Sequence, residues 1–267
     1  MPRIIITKLV RHSLQAPKAR QTKTGLTREG IIKARALGRK IPPGWKVKEY
    51  YTPAIRTESS SRFALGAFRA KGGKTYPTKR RVKRGPEKGA IVKKAGVRKE
   101  LWYIKDIPEL KKLTGEHGEN DKAILRRWLD GKLDPKIIEN QKKVADAVIR
   151  KRFGLGKRLV ERGLGGFGRT PVKGAADKII LRNVTHQWLV EAVLERLTGM
   201  KYTQFGRGTA IRENESLSMI HYPEKTMLKY RGKTIDVTGR FNEILAENRK
   251  KQRRIARRHW HKNKQKK

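Results

Sequence analysis

The 267-residue chain has no cysteine, which excludes disulfides, thiolate catalysis and Cys-ligated zinc and fits a reducing compartment. Acids are scarce. Against 68 Lys and Arg stand 24 Asp and Glu, so 44 positive charges stay unmatched even if every acid pairs with a base. That excludes a surface of balanced ion pairs and points to polyanionic surroundings. Apolar residues make up 36%, below a globular average of roughly 45–50% that also counts Gly. No apolar run nears the roughly 20 residues of a membrane-spanning helix. The opening Met1-Pro2-Arg3-Ile4-Ile5-Ile6 is too short in its apolar part for a secretory signal. The Ile, Leu, Val and Trp that are present fall in clusters, enough for a core. The expectation is a soluble, cytoplasmic, very basic protein without a membrane span.

Ile4-Ile5-Ile6 with Leu9-Val10 is β-branched and strand-length, and predicts a buried central strand. A polar loop containing Pro17 follows. Thr27 is a candidate N-cap for a helix whose face carries Gly30, Ala34, Leu37 and Ile41, stopped by Pro42-Pro43-Gly44. A strand over 47–51 and a helix through Phe68 continue an alternation typical of α/β folds. Further helices are predicted over 108–113, 121–129 and 135–152, and a short strand over 101–104. Lys178–Val184 reads as another buried strand. The next helix places Trp188, Leu189, Ala192, Val193 and Leu197 on one stripe and ends at Gly199. Segments 216–222, 226–230 and 234–237 alternate as antiparallel strands do, with Arg231-Gly232 as a hairpin turn.

Two segments stand apart. Residues 71–98 hold eleven bases and one acid, and read as an inserted basic loop, with a hairpin if its few apolar residues pair. Residues 249–267 hold another eleven bases and form a basic helix or tail. Such stretches neutralise nucleic-acid phosphates by releasing counterions. Residues 153–176 are glycine-rich and read as a turn-rich connection, without the Gly-Lys-Ser/Thr ending of a phosphate loop. The expected division is a domain over 1–247, with the basic insertion at about 70–98, and a basic tail over 248–267.

Two predicted strands end in histidine, at Val10-Arg11-His12 and Val184-Thr185-His186, and Arg56 follows a third. Sites in open α/β sheets lie beyond the carboxyl ends of strands. Two histidines and two arginines meeting there would cage a tetrahedral anion, each guanidinium offering a planar fork of donors.

These residues resemble the histidine phosphatase (phosphoglycerate mutase-like) superfamily. Leu9-Val10-Arg11-His12-Ser13 is similar to its opening "LVRHG", and Leu26-Thr27-Arg28-Glu29-Gly30 with Ala34–Gly38 to the helix that follows. Thr52-Pro53-Ala54-Ile55-Arg56 resembles "SPxxR", and Val184-Thr185-His186 the late "VSHG". The resemblance implies a three-layer α/β/α sandwich and hydrolysis of a phosphomonoester without metal or other cofactor. His12 would be the nucleophile that becomes phosphohistidine, and Arg11, Arg56 and His186 would hold the equatorial oxygens. A carboxylic acid would protonate the leaving oxygen; Glu100 is the candidate, with Asp106 and Glu116 as alternatives. Ser13 and Gln187 stand where the family has glycine. The expected partners are a phosphorylated substrate and, through the insertion and tail, RNA or another polyanion. The rival expectation is a nucleic-acid-binding or ribosome-associated protein using this fold as a scaffold.

Overall fold

The computed structural model describes residues 4–13, 24–52, 54–75, 79–80, 93–94, 98, 101, 103–105, 107–114, 122–161, 178–205, 211–247 and 249. Its centre is β1 (Ile4–Arg11), as the isoleucine run predicts. One edge of β1 pairs in parallel with β6 (Lys178–Thr185), from Ile4↔Lys178 to Arg11↔Thr185. The other pairs antiparallel with β7 (Ser216–His221). β2 (Lys46–Tyr51) lies parallel to β6, and β3 (Lys74–Thr75) parallel to β2. With β8 (Thr226–Tyr230) and β9 (Lys233–Asp236) the order is β3-β2-β6-β1-β7-β8-β9. Arg231 and Gly232 turn the last hairpin with φ of 48° and 77°, the left-handed pair such a tight turn requires.

Side-chain alternation divides the core into two layers. On one face Leu9, Tyr50, Leu217, Met219 and Leu228 pack with α5 (Gln141–Val148) and α7 (Gln187–Thr198), while Ile5, Ile179 and Leu181 pack with α6 (Gly154–Glu161). On the other, Val47 and Ile180 meet Leu65 and Phe68 of α2 (Ile55–Ala70). Against α2 lies α1 (Arg28–Arg39), capped by the Thr27 hydroxyl, which accepts from the Gly30 N–H at 2.9 Å. Gly38 touches α2 so closely that a Cβ there would lie 1.9 Å from the Ala64 carbonyl oxygen. Two helical layers around one sheet make a three-layer α/β/α sandwich. A peripheral antiparallel pair, β4 (Lys79–Arg80) with β5 (Lys93–Lys94), lies within the basic insertion, whose apolar residues fall outside the described residues. α3 (Ile107–Thr114) and α4 (Lys122–Leu129) complete the elements before α5.

Three sequence expectations fail, and one helix goes unannounced. Residues 101–104 are no strand of the sheet: Ile104 forms an isolated bridge with Ile138, and Leu101 and Tyr103 are buried as separate anchors. The helix expected over 135–152 starts only at Gln141, because Asn140 caps it. It then runs through a π-turn (Ile149–Phe153) into α6, so Gly154 and Gly156 are helical and not part of a connection. Gly156 is there for closeness: a Cβ would meet His221 Cδ2 and Thr7 Oγ1 at 2.5 Å. Finally, residues 238–247 form a helix that the sequence pattern does not announce. Among the described residues no helix is long and apolar enough to cross a membrane. The expected tail, apart from Arg249, and most of the expected insertion lie outside the described residues.

Candidate active site

Parallel register brings the site together. Arg11 pairs with Thr185 and Tyr51 with Val184, so His12, Thr52 and His186 leave three adjacent strands at the same level. The His12 N–H donates to the Thr185 carbonyl at 2.9 Å, and the Thr52 N–H to the Val184 carbonyl at 3.3 Å. The two histidine rings meet edge to face, with centroids 5.2 Å apart. His12 is 4% exposed and His186 fully buried.

Tautomers follow from the partners. His12 Nδ1 donates to the Ser13 carbonyl at 2.7 Å, which leaves the lone pair of the neutral ring on Nε2. His186 Nδ1 accepts from Arg56 Nη2 at 3.1 Å, so its proton sits on Nε2, directed at Thr52 Oγ1 3.4 Å away. Thr52 Oγ1 in turn lies 2.7 Å from Thr57 Oγ1, which donates to the Ala54 carbonyl at 2.7 Å. This relay runs into the first turn of α2, the helix that carries Arg56. A lysine could place a charge there but not a fork. If the phosphatase activity that the sequence resemblance implies is present, Arg56→Lys should cut phosphomonoester turnover by about 10- to 100-fold with little loss of thermal stability, and an unchanged kcat/KM would count against a substrate contact by Arg56.

Arg11 is anchored differently. Its Nη1 donates to the Ile211 carbonyl at 2.7 Å and its Nη2 pairs with Glu213 at 3.0 Å. Its backbone clasps the same segment, donating to Glu215 O and accepting from Asn214 N. Ser13 does not turn its hydroxyl on the histidines: it donates to the Gly30 carbonyl at 2.6 Å and accepts from Asn214 Nδ2 at 2.9 Å, tying β1 to α1. Gln187 also turns away, donating along its helix to Glu191 Oε1 at 3.2 Å. The structure thus brings His12, His186 and Arg56 together and holds Arg11 against residues 211–215. Glu100, Asp106 and Glu116 lie outside the described residues. Among the described residues no cluster of His, Cys, Asp or Glu is placed to hold a metal ion.

Glu191, Asn214, Thr52 and Thr57 carry no role that sequence patterns assign. The spacing of Gln187 and Glu191, one turn apart directly after His186, is the only local signal for Glu191. Glu191 is 1% exposed and accepts from the Ile211 N–H at 3.0 Å, the residue whose carbonyl holds Arg11. Burial pushes its carboxyl up to about 7, helped by Glu195 and opposed by the Ile211 N–H, Gln187 and Arg11. From about pH 4.5 to 7 this carboxyl retains in the folded chain a proton that it releases in the unfolded chain, so its contribution to stability falls as pH rises through that window. The contribution is at most roughly 3 kcal/mol. In urea unfolding, Glu191→Gln should make the change in stability from about pH 5 to about pH 8 less unfavourable than in wild type. An equal difference in both proteins would mean that Glu191 does not titrate there.

No family model matches the chain, and no curated protein matches it significantly by sequence. Solved structures similar to it include a phosphoglycerate mutase and two phosphatases. A phosphoglycerate mutase from Bacillus anthracis is 11% identical, covers 93% of this chain and 98% of its own, and superposes with a TM-score of 0.49. A mycobacterial glucosyl-3-phosphoglycerate phosphatase is 14% identical over 82% of this chain and 91% of its own, with a TM-score of 0.46. The α-ribazole phosphatase from Shigella flexneri is 16% identical over 80% and 89%, with a TM-score of 0.42. Such likeness concerns the course of the chain, and the chemistry of the site rests on its own residues.

Proposed function

We propose that the chain is a phosphomonoester hydrolase working through a phosphohistidine on His12, with its basic extensions holding a polyanion. The observation that carries this is the His12 tautomer: Nδ1 is committed to the Ser13 carbonyl, so Nε2 bears the lone pair beside the Arg56–His186 pair. In the first step Nε2 attacks phosphorus in line, a P–N bond forms and the ester P–O bond breaks. The leaving oxygen takes a proton from a carboxylic acid, for which Glu100 remains the candidate and Asp106 and Glu116 the alternatives. In the second step water attacks phosphorus, the same carboxylate accepts its proton, and the P–N bond breaks to release phosphate. Charge on the transferring oxygens would be held by Arg56 and Arg11, with His186 setting the direction of Arg56. Covalent catalysis suits such a pocket because it splits one difficult displacement into two easier ones.

The test is turnover of an aryl phosphate by protein freed of nucleic acid, combined with rapid quench of a phosphorus-labelled substrate. The expected result is release of phosphate and an acid-labile, alkali-stable phosphoenzyme. Failure to hydrolyse any phosphomonoester, with polyanion binding intact, would move the function to the extensions.

A further inference from the structure

The outer faces of α1 and α2 diverge beyond their contact at Gly38 and leave a cleft of about 570 Å3, within the roughly 300–1,000 Å3 range of ligand sites. It lies apart from the histidine pocket, and none of its lining residues belongs to that pocket. Four exposed cations ring it, Arg35 and Arg39 from α1, Arg62 from α2 and Lys71 just past it, and no acid lines it. α1 can neutralise charge where that serves stability, as its Glu29–Lys33 pair at 2.5 Å shows. Arg35 and Arg39 are instead like charges one helical turn apart, an arrangement that destabilises a helix. Among the described residues Arg35, Arg39 and Arg62 form no ion pair. The Lys71 ammonium donates to the Arg39 carbonyl, which draws the two walls together.

The cleft also contains a stacking platform. The guanidiniums of Arg35 and Arg62 lie over the half-buried Phe63 ring, 5.4 and 5.2 Å from its centroid. Packing on one ring holds two cations close despite their repulsion and presents flat, charged surfaces. Small residues, Gly66, Ala67 and Ala70, give the cleft depth and offer no apolar wedge that could enter a lipid layer. Lys71 is also the residue at which the basic stretch 71–98 begins in the sequence.

We propose that the α1/α2 cleft binds single-stranded nucleic acid, with phosphates on Arg35, Arg39, Arg62 and Lys71 and an unpaired base stacked on the Phe63–guanidinium platform. Charge alone would suit any polyanion. The platform selects for a strand whose base faces are open, because bases within a duplex have no free face to stack. This inference is independent of the phosphatase reading and assigns the binding to the folded domain, not only to the extensions.

The test uses the full-length protein and fluorescence anisotropy with a labelled oligonucleotide of about ten residues, as single-stranded RNA, single-stranded DNA and RNA duplex. Phe63→Leu keeps apolar bulk and should weaken both single strands by about tenfold while leaving duplex affinity within about twofold. The triple variant Arg35→Gln, Arg39→Gln, Arg62→Gln should reduce the log–log salt slope for a single strand by about 2 units, since each phosphate that is no longer neutralised accounts for roughly 0.7. A thermal melt serves as the control for folding and should stay within a few degrees of wild type. Photo-crosslinking of thiouridine RNA to the wild-type protein should label peptides of α1 and α2, a readout that needs no variant. The proposal fails if crosslinks avoid both helices, if the triple variant retains the wild-type salt slope, or if Phe63→Leu weakens duplex and single strand alike. It also fails if an acidic peptide or anionic vesicles compete more strongly than single strands of equal charge.

Discussion

Replacing His12 by alanine should abolish the phosphoenzyme and lower aryl phosphate turnover by at least about ten-thousand-fold, the scale on which loss of a nucleophile acts. The effect should be this large because, among the described residues, no other histidine offers a lone pair in the same place. Both nitrogens of His186 are directed inward, one to Arg56 and the other to Thr52. His12→Ala removes a buried ring that contacts His186 but leaves the backbone bond from residue 12 to Thr185. The variant should therefore fold and still bind phosphate through the arginines. Measurement needs single-turnover quench alongside a thermal melt. Substantial turnover in a folded variant would mean that water attacks the substrate directly and that His12 does not become phosphorylated.

The largest expected loss of stability comes from Gly38→Ala. One added methyl group would sit 1.9 Å from the Ala64 carbonyl oxygen and 2.8 Å from its carbonyl carbon, and backbone cannot swing aside as a side-chain tip can. α1 and α2 must separate, at an expected cost of roughly 2–4 kcal/mol, in the upper range for overpacking. For a domain of this size that is a fall of roughly 5–15 °C in Tm. Activity should fall as well, because the Ser13 hydroxyl is anchored on Gly30 of α1 while Arg56 rides on α2. A melt within about 1 °C of wild type would show that the helices slide apart freely.

Much of this architecture was legible because its signals are local. The isoleucine run before Arg11, the Thr27 cap, the glycine after α7 and the Arg231-Gly232 turn each act over a few residues, and each has the predicted effect. The site histidines were legible because strand ends are legible. What escaped depends on partners distant in sequence. Gly156 looks like a breaker until His221 and Thr7 are seen pressed against α6. Leu101 and Tyr103 alternate as a strand would, yet they anchor a segment whose neighbours are residues 137–139. Glu191 looks like an ordinary helical acid until Ile211, 20 positions away, donates to it. The direction of the Ser13 hydroxyl needed Gly30 and Asn214 in place.

The central position of β1 has a consequence for how the protein is made. β1 is synthesised well before both of its neighbours, β6 and β7, which begin only at Lys178 and Ser216. At roughly 5–20 residues per second the nascent chain spends on the order of ten seconds or more with that isoleucine-rich strand unpaired on both edges. Contacts of such sequence separation close slowly, since loop entropy is lost before pairing is gained. His12 and His186 cannot meet until the later strand has joined the earlier one. Ribosome-bound chains stopped before Lys178 should thus be protease-sensitive around β1 and inactive, and both properties should change together once β7 has emerged.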